Sequence, residues 1–489
     1  MFTESSYLYR LLINKWVLLT VLSFFSFLTI DDGHNWGDDF ALYVSQAISI
    51  VNGTTHELFE TNKFAMDYSD RLTGPYLYPV GTSLCLAPII KFSGVNFYAM
   101  KMVMLLFWIG SLYVIHSFFL LRTNNKTAAA FITTCFGLHP QMVIQPDTIG
   151  SDIPFLFFTF LFFLSTQKNN SKNTYLFYAQ LATIIFAAYL FRSIGILLLP
   201  IISLLQISNW KNYSIQKNIL LIGFPYVLFF IFMKILSTLY KIDSGSYLQY
   251  LLLTDIPTVC QNIYYYIELF ATYPFNLWEL ALPYLPAFKG ISVITNSIYA
   301  LSLFLFGISI YGIYTKFKEN LDLILFTAII IGLYVVWPSK QGYRFIIPLL
   351  PIYIYFLWLG CIKLKSIYAS SITRMLPAFV VSAIAVSGFL CVIQFKFLKN
   401  TDAIHSSNSR ELYTFIRSHT QTTDILCFFK PRALRLETDR NAIRQYTDEK
   451  SLKQSKANYY ISYRAPQIYY SGFELIFNNA DFAVYKINR

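Results

Sequence analysis

Asp31-Asp32-Gly33-His34-Asn35-Trp36-Gly37-Asp38-Asp39-Phe40 follows directly on an apolar run at residues 11–30. A bilayer crossing takes about 20 consecutive apolar residues. The run is long enough to cross, and four carboxylates within nine residues mark where the chain leaves the hydrocarbon. Arg10 and Lys15 sit at its start, as in a signal peptide, but no small-residue cleavage pattern follows, so it reads as a retained first span. From Asp38 onward the residues fit a helix. Asp38 or Asp39 can cap it, and Phe40, Tyr43, Ala47 and Ile50 fall on one face. Such an amphipathic helix would lie on the membrane surface with its acidic end at the interface.

Ten further apolar runs follow the first. They cover residues 97–121, 127–145, 152–166, 175–191, 193–207, 218–238, 291–314, 321–337, 345–362 and 375–395. The composition agrees with them. Of 489 residues, 55% are hydrophobic and only 13% charged, and the mean hydropathy is +0.48. A soluble chain of this size carries about twice that charged share to cover its surface. Disorder, a fibre, a disulfide scaffold and an ordinary cytosolic enzyme are all excluded. The six cysteines show no CxxC pair and lie mostly in apolar runs, as small buried hydrophobes do.

The net charge of +12 has a topological reading. Basic residues occupy alternate short loops: Arg10 and Lys15; Arg122 and Lys126; Lys168 and Lys172; Lys211 and Lys217; Lys316 and Lys318; and Lys363, Lys365 and Arg374. Short basic loops stay on the cytoplasmic side. The acidic stretch at 31–39, the Asp147 turn and residues 240–290 fall on the other side. Nothing forms a basic stripe interleaved with stacking aromatics, so nucleic acid is not a partner. The expected architecture is an all-α polytopic membrane protein of about eleven spans, with juxtamembrane helices in a first outer loop at 31–96. The membrane domain ends near residue 397. Residues 398–489 read as a small extracytoplasmic α/β domain, with a helical period at 411–418 and strand-like runs at 425–429, 459–463 and 482–487.

Four outer segments could carry chemistry. In the first, a carboxylate of Asp38 or Asp39 can act as general base, bind a divalent cation with its neighbour, or simply cap a helix. The second, Gly74-Pro75-Tyr76-Leu77-Tyr78-Pro79-Val80-Gly81, leads into a short proline-punctuated segment that fits a surface or re-entrant helix. The third holds Asp147 and Asp152 in a tight turn, where Ser151 or Asp152 can cap the next span. The fourth is Trp337-Pro338-Ser339-Lys340-Gln341-Gly342-Tyr343-Arg344-Phe345. Lys340 and Arg344 stand there against the charge bias, as does Arg192 at the outer end of an earlier span. An anionic ligand such as a lipid phosphate explains outer cations, and interfacial snorkelling is the plainer reading. Lys101 and Lys234 within spans would snorkel or pair. There is no Gly-rich phosphate loop, HExxH, GxSxG or Cys/His metal spacing.

Taken together these segments resemble the C-type membrane glycosyltransferases, the superfamily of the protein O-mannosyltransferases and the aminoarabinose–lipid A transferases. Gly37-Asp38-Asp39 with Tyr43 and Ala47 looks like the acidic motif of their first outer loop. Tyr78-Pro79-Val80-Gly81 looks like their second juxtamembrane segment. Ser151-Asp152-Ile153-Pro154 looks like their turn into a mid-chain span, and Arg344-Phe345-Ile346-Ile347-Pro348 like their late Arg-x-x-x-Pro element.

The resemblance implies a sugar donor on a polyprenyl phosphate whose tail lies among membrane lipids. It implies an acceptor hydroxyl on an envelope glycan, a lipid or a protein, a site on the outer face of a bacterial inner membrane, and inversion by direct displacement. Asp38 is then the expected base, with Asp39 next; the family more often shows Asp-Glu here, which leaves the register open. Arg344 is the expected phosphate ligand, followed by Lys340, Arg192, Arg71 and Lys63. Tyr43, Tyr78, Asp147 and Asp152 are expected near the substrate. The resemblance makes no cofactor certain; some members use a divalent cation, for which Asp38 and Asp39 are the candidates. The alternative is a sugar-lipid transporter or flippase, which would call for matching halves or paired intramembrane charges.

Overall fold

The computed structural model describes residues 13–70, 74–168, 174–208, 210–240, 254–272, 292–340, 342–368, 371–398, 402–464 and 469–488. Within the described residues, each of the eleven apolar runs falls largely on helical backbone. Five described helices are long and apolar enough to cross a membrane: Phe97–Thr123, Thr174–Phe191, Ile215–Leu239, Tyr343–Ile367 and Met375–Phe397. Two bent pairs bring the number to seven if each is one span, Lys126–Gly137 with Pro140–Asp147 at 71° and Tyr299–Thr315 with Lys318–Val335 at 95°. Lys15–Phe27, Asp152–Gln167 and Ser193–Ser208 are apolar but shorter. The chain is a multi-pass membrane protein, and the eleven expected runs resolve into fewer full-length helices. Local breaks account for the difference. Pro140 interrupts one run, and residues 193–198 start another as a tighter 3-10 turn.

Helix Phe97–Thr123 is the central post, with Trp108 and Phe118 fully buried on it. At its end Arg122 makes a two-pronged pair with Asp322, 2.6 and 3.1 Å, and bonds Asn320 as well. The loops at 122–126 and 316–322 therefore share one side, as their basic charge requires. The segments at 31–39, 78–81, 147–152, 192 and 344 meet at the opposite side through the contacts described below.

Among its described residues, the stretch between the first two apolar runs folds into three helices, Asp38–Asn52, Thr55–Asp67 and Gly81–Ser93. Helix Asp38–Asn52 is enclosed by protein on several sides. Phe40, Ala41, Leu42, Tyr43, Val44, Gln46 and Ala47 are all buried, because helix Gly81–Ser93 covers one face and the C-terminal domain another. Its cap is Gly37, not an aspartate side chain. Gly81 allows the second helix to press in, since a Cβ there would stand 2.6 Å from the Leu190 carbonyl oxygen.

The C-terminal domain is a five-stranded sheet: β1 (Ile425–Cys427), β2 (Asn441–Ile443), β3 (Tyr459–Tyr463), β4 (Phe473–Asn478) and β5 (Phe482–Ile487). The order is β2-β1-β3-β5-β4, with β2, β1 and β3 parallel and β5 and β4 antiparallel. Its core, built on Leu412, Ile416, Leu426, Ile461 and Val484, admits one residue from the first loop. The Trp36 ring meets Tyr413, Phe428, Phe429, Tyr463 and Phe482 edge-on at 5.3–6.4 Å. Backbone bonds from Ile404 to His34 and from Asp70 to Arg444 fasten the two regions further.

Candidate active site

Asp38 and Asp39 occupy the first turn of helix Asp38–Asn52, where the helix dipole favours carboxylates. Successive helical residues point about 100° apart, and here the two side chains turn to different neighbours. Asp38 faces the C-terminal domain and accepts the Arg432 backbone N–H at 3.1 Å. Asp39 faces the membrane domain. Its Oδ1 accepts the Tyr78 hydroxyl at 2.5 Å, and its Oδ2 accepts Nη1 of Arg344.

From Asp39 the charges alternate. Arg344 reaches on with Nε to Asp152 Oδ2, and Arg192 pairs with Asp152 Oδ1. Two carboxylates and two guanidiniums thus form one chain, Asp39–Arg344–Asp152–Arg192, whose charges cancel. Its ends differ in access. The Asp39 and Arg344 side chains are 38% and 31% exposed, against 9% for Asp152 and 15% for Arg192. A ligand meets Asp39 and Arg344 first.

Around this chain the sequence-predicted tyrosines are held rigidly. The Tyr43 ring stacks on Tyr78 at 4.7 Å, and its hydroxyl donates to Ser151 Oγ at 2.8 Å. The Gln46 amide grips the Tyr78 backbone from both sides, donating to its carbonyl and accepting from its N–H. Desolvation alone would raise the Asp39 carboxyl, but the Arg344 charge and hydrogen bond, with the Tyr78 hydroxyl, hold it well below the usual carboxylate range. For Asp38 desolvation wins and lifts it above that range, despite the pull of Arg432 and Lys430. Tyr78 is pushed far up by burial and by the Asp39 charge, so it remains a donor.

The other expected site residues lie apart. Asp147 accepts from Lys101 Nζ at 2.6 Å, and the same ammonium bonds Asp31 at 2.7 Å and the Gly33 carbonyl at 2.6 Å. A fully buried lysine thus ties the exit of the first span to the Asp147 turn, so Lys101 pairs rather than snorkels. Lys340 is exposed, with its ammonium 5.2 Å from the Tyr265 ring centre. Lys63 is exposed on helix Thr55–Asp67, and Arg71 lies outside the described residues. Asp38 and Asp39 do not fit as a divalent-cation pair, because Arg344 and Tyr78 take the oxygens of Asp39 while Asp38 turns to Arg432. Among the described residues no three His, Cys, Asp or Glu side chains converge on a common point. Arg432 went unread in the sequence: it belongs to a polar, soluble-type segment with no local signal.

Neither a family model nor a curated protein matches the chain. Solved structures do. ArnT from Cupriavidus metallidurans bound to undecaprenyl phosphate superposes with a TM-score of 0.53 at 11% identity, over 96% of this chain and 97% of that one. The Archaeoglobus fulgidus oligosaccharyltransferase AglB, in complex with an inhibitory peptide and a dolichol-phosphate, gives 0.53 at 11% identity over 94% of this chain and 70% of that one. The apo form of the A. fulgidus oligosaccharyltransferase gives 0.56 at 11% identity, over 92% and 69%. The chain shares the fold of these solved structures. At this identity the likeness concerns architecture, and it includes the C-terminal domain, since the ArnT superposition spans nearly all of both chains. This shared fold also accounts for the meeting of segments far apart in sequence, with Asp39 and Arg344 separated by 305 residues.

Proposed function

We propose that the protein transfers a hexosyl or pentosyl group from a polyprenyl-phosphate donor to an acceptor hydroxyl at the outer face of a bacterial inner membrane. The observation that carries this is the accessible Asp39–Arg344 pair, an acid held against a cation at the outer ends of several helices. It stands in a fold shared with a protein solved with undecaprenyl phosphate bound. The acceptor is an envelope glycan, a lipid or a protein.

Asp39, rather than Asp38, is the base in this reading. Geometry comes before proton affinity in choosing a base, and only Asp39 adjoins the arginine that can hold a phosphate. In the resting pair Arg344 keeps Asp39 ionised but a poor base. An incoming lipid phosphate competes for the Arg344 guanidinium. As that contact passes from carboxylate to phosphate, the proton affinity of Asp39 rises toward an ordinary value. The acceptor oxygen then bonds to the anomeric carbon as the carbon–oxygen bond to phosphate breaks. The hydroxyl proton goes to Asp39, and the phosphate leaves as an anion stabilised by Arg344 and, beyond Asp152, by Arg192. One displacement inverts the anomeric centre. Each step uses side chains of this chain alone.

The test is a transfer assay. Purified protein in detergent is given radiolabelled polyprenyl-phosphate sugars and an envelope extract, beside the Asp38→Asn/Asp39→Asn double variant. Label entering the extract with the wild type alone supports the reading. Failure of the folded wild type to consume any donor, together with flux of sugar-lipid across liposomes containing it, would replace it with transport.

A further inference from the structure

Helix Pro431–Thr438 of the C-terminal domain is aimed at the candidate site. Pro431 opens it, and its first free N–H, on Arg432, donates to Asp38. Arg432 is 3% exposed. Its Nη2 donates to the Pro75 carbonyl at 2.6 Å, and its guanidinium lies 5.8 Å from the centre of the Tyr78 ring. Nη1 presses on Gly74, whose φ of +106° suits glycine; a Cβ there would stand 3.0 Å from that nitrogen. One turn on, Arg435 bonds Asn62, which in turn bonds the Tyr76 carbonyl.

A buried guanidinium is costly to desolvate, and an unpaired one more so. Arg432 nevertheless makes no direct side-chain ion pair with a carboxylate among the described residues, although its charge acts on Asp38 and Asp39, and its Nη1 has no hydrogen-bond partner among them. A stabilising role for the domain interface alone would be served as well by an apolar side chain of that volume. What the charge does supply is a field beside Tyr78 that also acts on Asp38 and Asp39.

We infer that Arg432 is a positioning residue of the active site, supplied by the C-terminal domain, which clamps the 74–78 turn and holds Tyr78 on Asp39. The inference rests on the transferase reading above and deepens it. The C-terminal domain is then part of the site, because undocking it would release Tyr78 and with it the orientation of the base. The groups facing Asp39 are Arg344, Tyr78, Tyr43, Asp38 and Arg432. Of these, Arg432 alone comes from the C-terminal domain.

The full-length protein is compared as wild type, Arg432→Met, Arg432→Lys and Arg435→Met. Hydrogen exchange over residues 74–80 reads the clamp without turnover. Transfer kinetics from a polyprenyl-phosphate sugar read its consequence. Arg432→Met should speed exchange at 74–80 while β1 and β3 stay protected. Its kcat should fall by about 10- to 100-fold with donor KM little changed, and the acid limb of kcat should move up by about one pH unit, since a cation that favours the carboxylate is gone. Arg432→Lys should recover part of the rate, and Arg435→Met should loosen the interface with kcat near wild type. Unchanged exchange at 74–80 in Arg432→Met overturns the clamp. Equal loss of kcat in Arg432→Met and Arg435→Met would reduce it to mere docking. Faster exchange with an inert wild type would leave the clamp standing and sink the transferase reading.

Discussion

Replacing Asp39 by Asn keeps the size of the side chain and removes one charge. The amide oxygen still accepts from Tyr78, and Arg344 keeps its bond to Asp152, so the site should remain assembled. What vanishes is a proton acceptor within reach of an incoming hydroxyl. General-base assistance is worth about 10²–10⁴ in rate, or about 3–5 kcal/mol of barrier. Asp38→Asn is the matched control. It too loses one carboxylate, one residue away, but the amide oxygen introduced there can still accept the Arg432 N–H. The lost charge assistance in that hydrogen bond costs at most about 1–2 kcal/mol, and it falls on the domain interface. Initial rates of sugar transfer should therefore fall by about 10³-fold in Asp39→Asn and by less than about 10-fold in Asp38→Asn. Donor KM should change little in either, and hydrogen exchange should show both folded. An Asp39→Asn protein that kept a tenth of wild-type kcat would refute the assignment. So would an inactive Asp38→Asn beside an active Asp39→Asn, which would return the base to Asp38.

Arg344→Gln should raise donor KM by at least about 10-fold, and Arg344→Lys should rescue it poorly, because one ammonium cannot span two partners as a guanidinium does; Lys340→Ala should leave both constants near wild type. Prolonged dialysis against EDTA should leave transfer rates within about twofold of untreated protein, because Arg344 already stands between Asp39 and Asp152 where a cation would be needed; loss of activity restored by a divalent cation would contradict this. Trp36→Ala empties a slot between five rings and should cost the C-terminal domain about 3 kcal/mol of docking, read as faster hydrogen exchange in β1, β3 and β5. His405 is raised above its ordinary 6.5, first by its hydrogen bond to Glu437 and then by the charges of Glu437 and Asp402, against a desolvation cost. A folded pKa above the unfolded one gives stability that is full below pH 6.5 and lost as pH rises through the folded value. Thermal unfolding of the wild type should thus move to lower temperature as pH rises above about 6.5, and His405→Gln should flatten that slope. Below pH 6.5 the sign reverses for His34, which burial pushes down to about 4, so stability should fall again toward that pH.

The sequence by itself determined the membrane class, the position of each helical run and the gathering of the candidate segments at one end of the helices. Those properties are legible because hydropathy and charge are local and additive along the chain. The strand-like runs at 425–429, 459–463 and 482–487 became β1, β3 and β5 for the same reason, while β2, three residues long, and β4, whose apolar residues are interrupted by Glu474, went unread. Span lengths were less legible, because a proline or a 3-10 turn shortens a helix without changing the composition around it. Only the tertiary structure decided which aspartate meets Arg344. Neighbouring residues on a helix differ in direction, not in composition, and the partner lies 305 residues away. It also separated Arg344 and Arg192, which share Asp152, from Lys340 and Lys63, which do not join the chain of charges. Finally it placed Trp36 of the first loop in the core of the C-terminal domain and Arg432 of that domain beside Tyr78. The composition changes near residue 397, yet in space the regions on either side share a core and a site, because packing joins surfaces that no local pattern links.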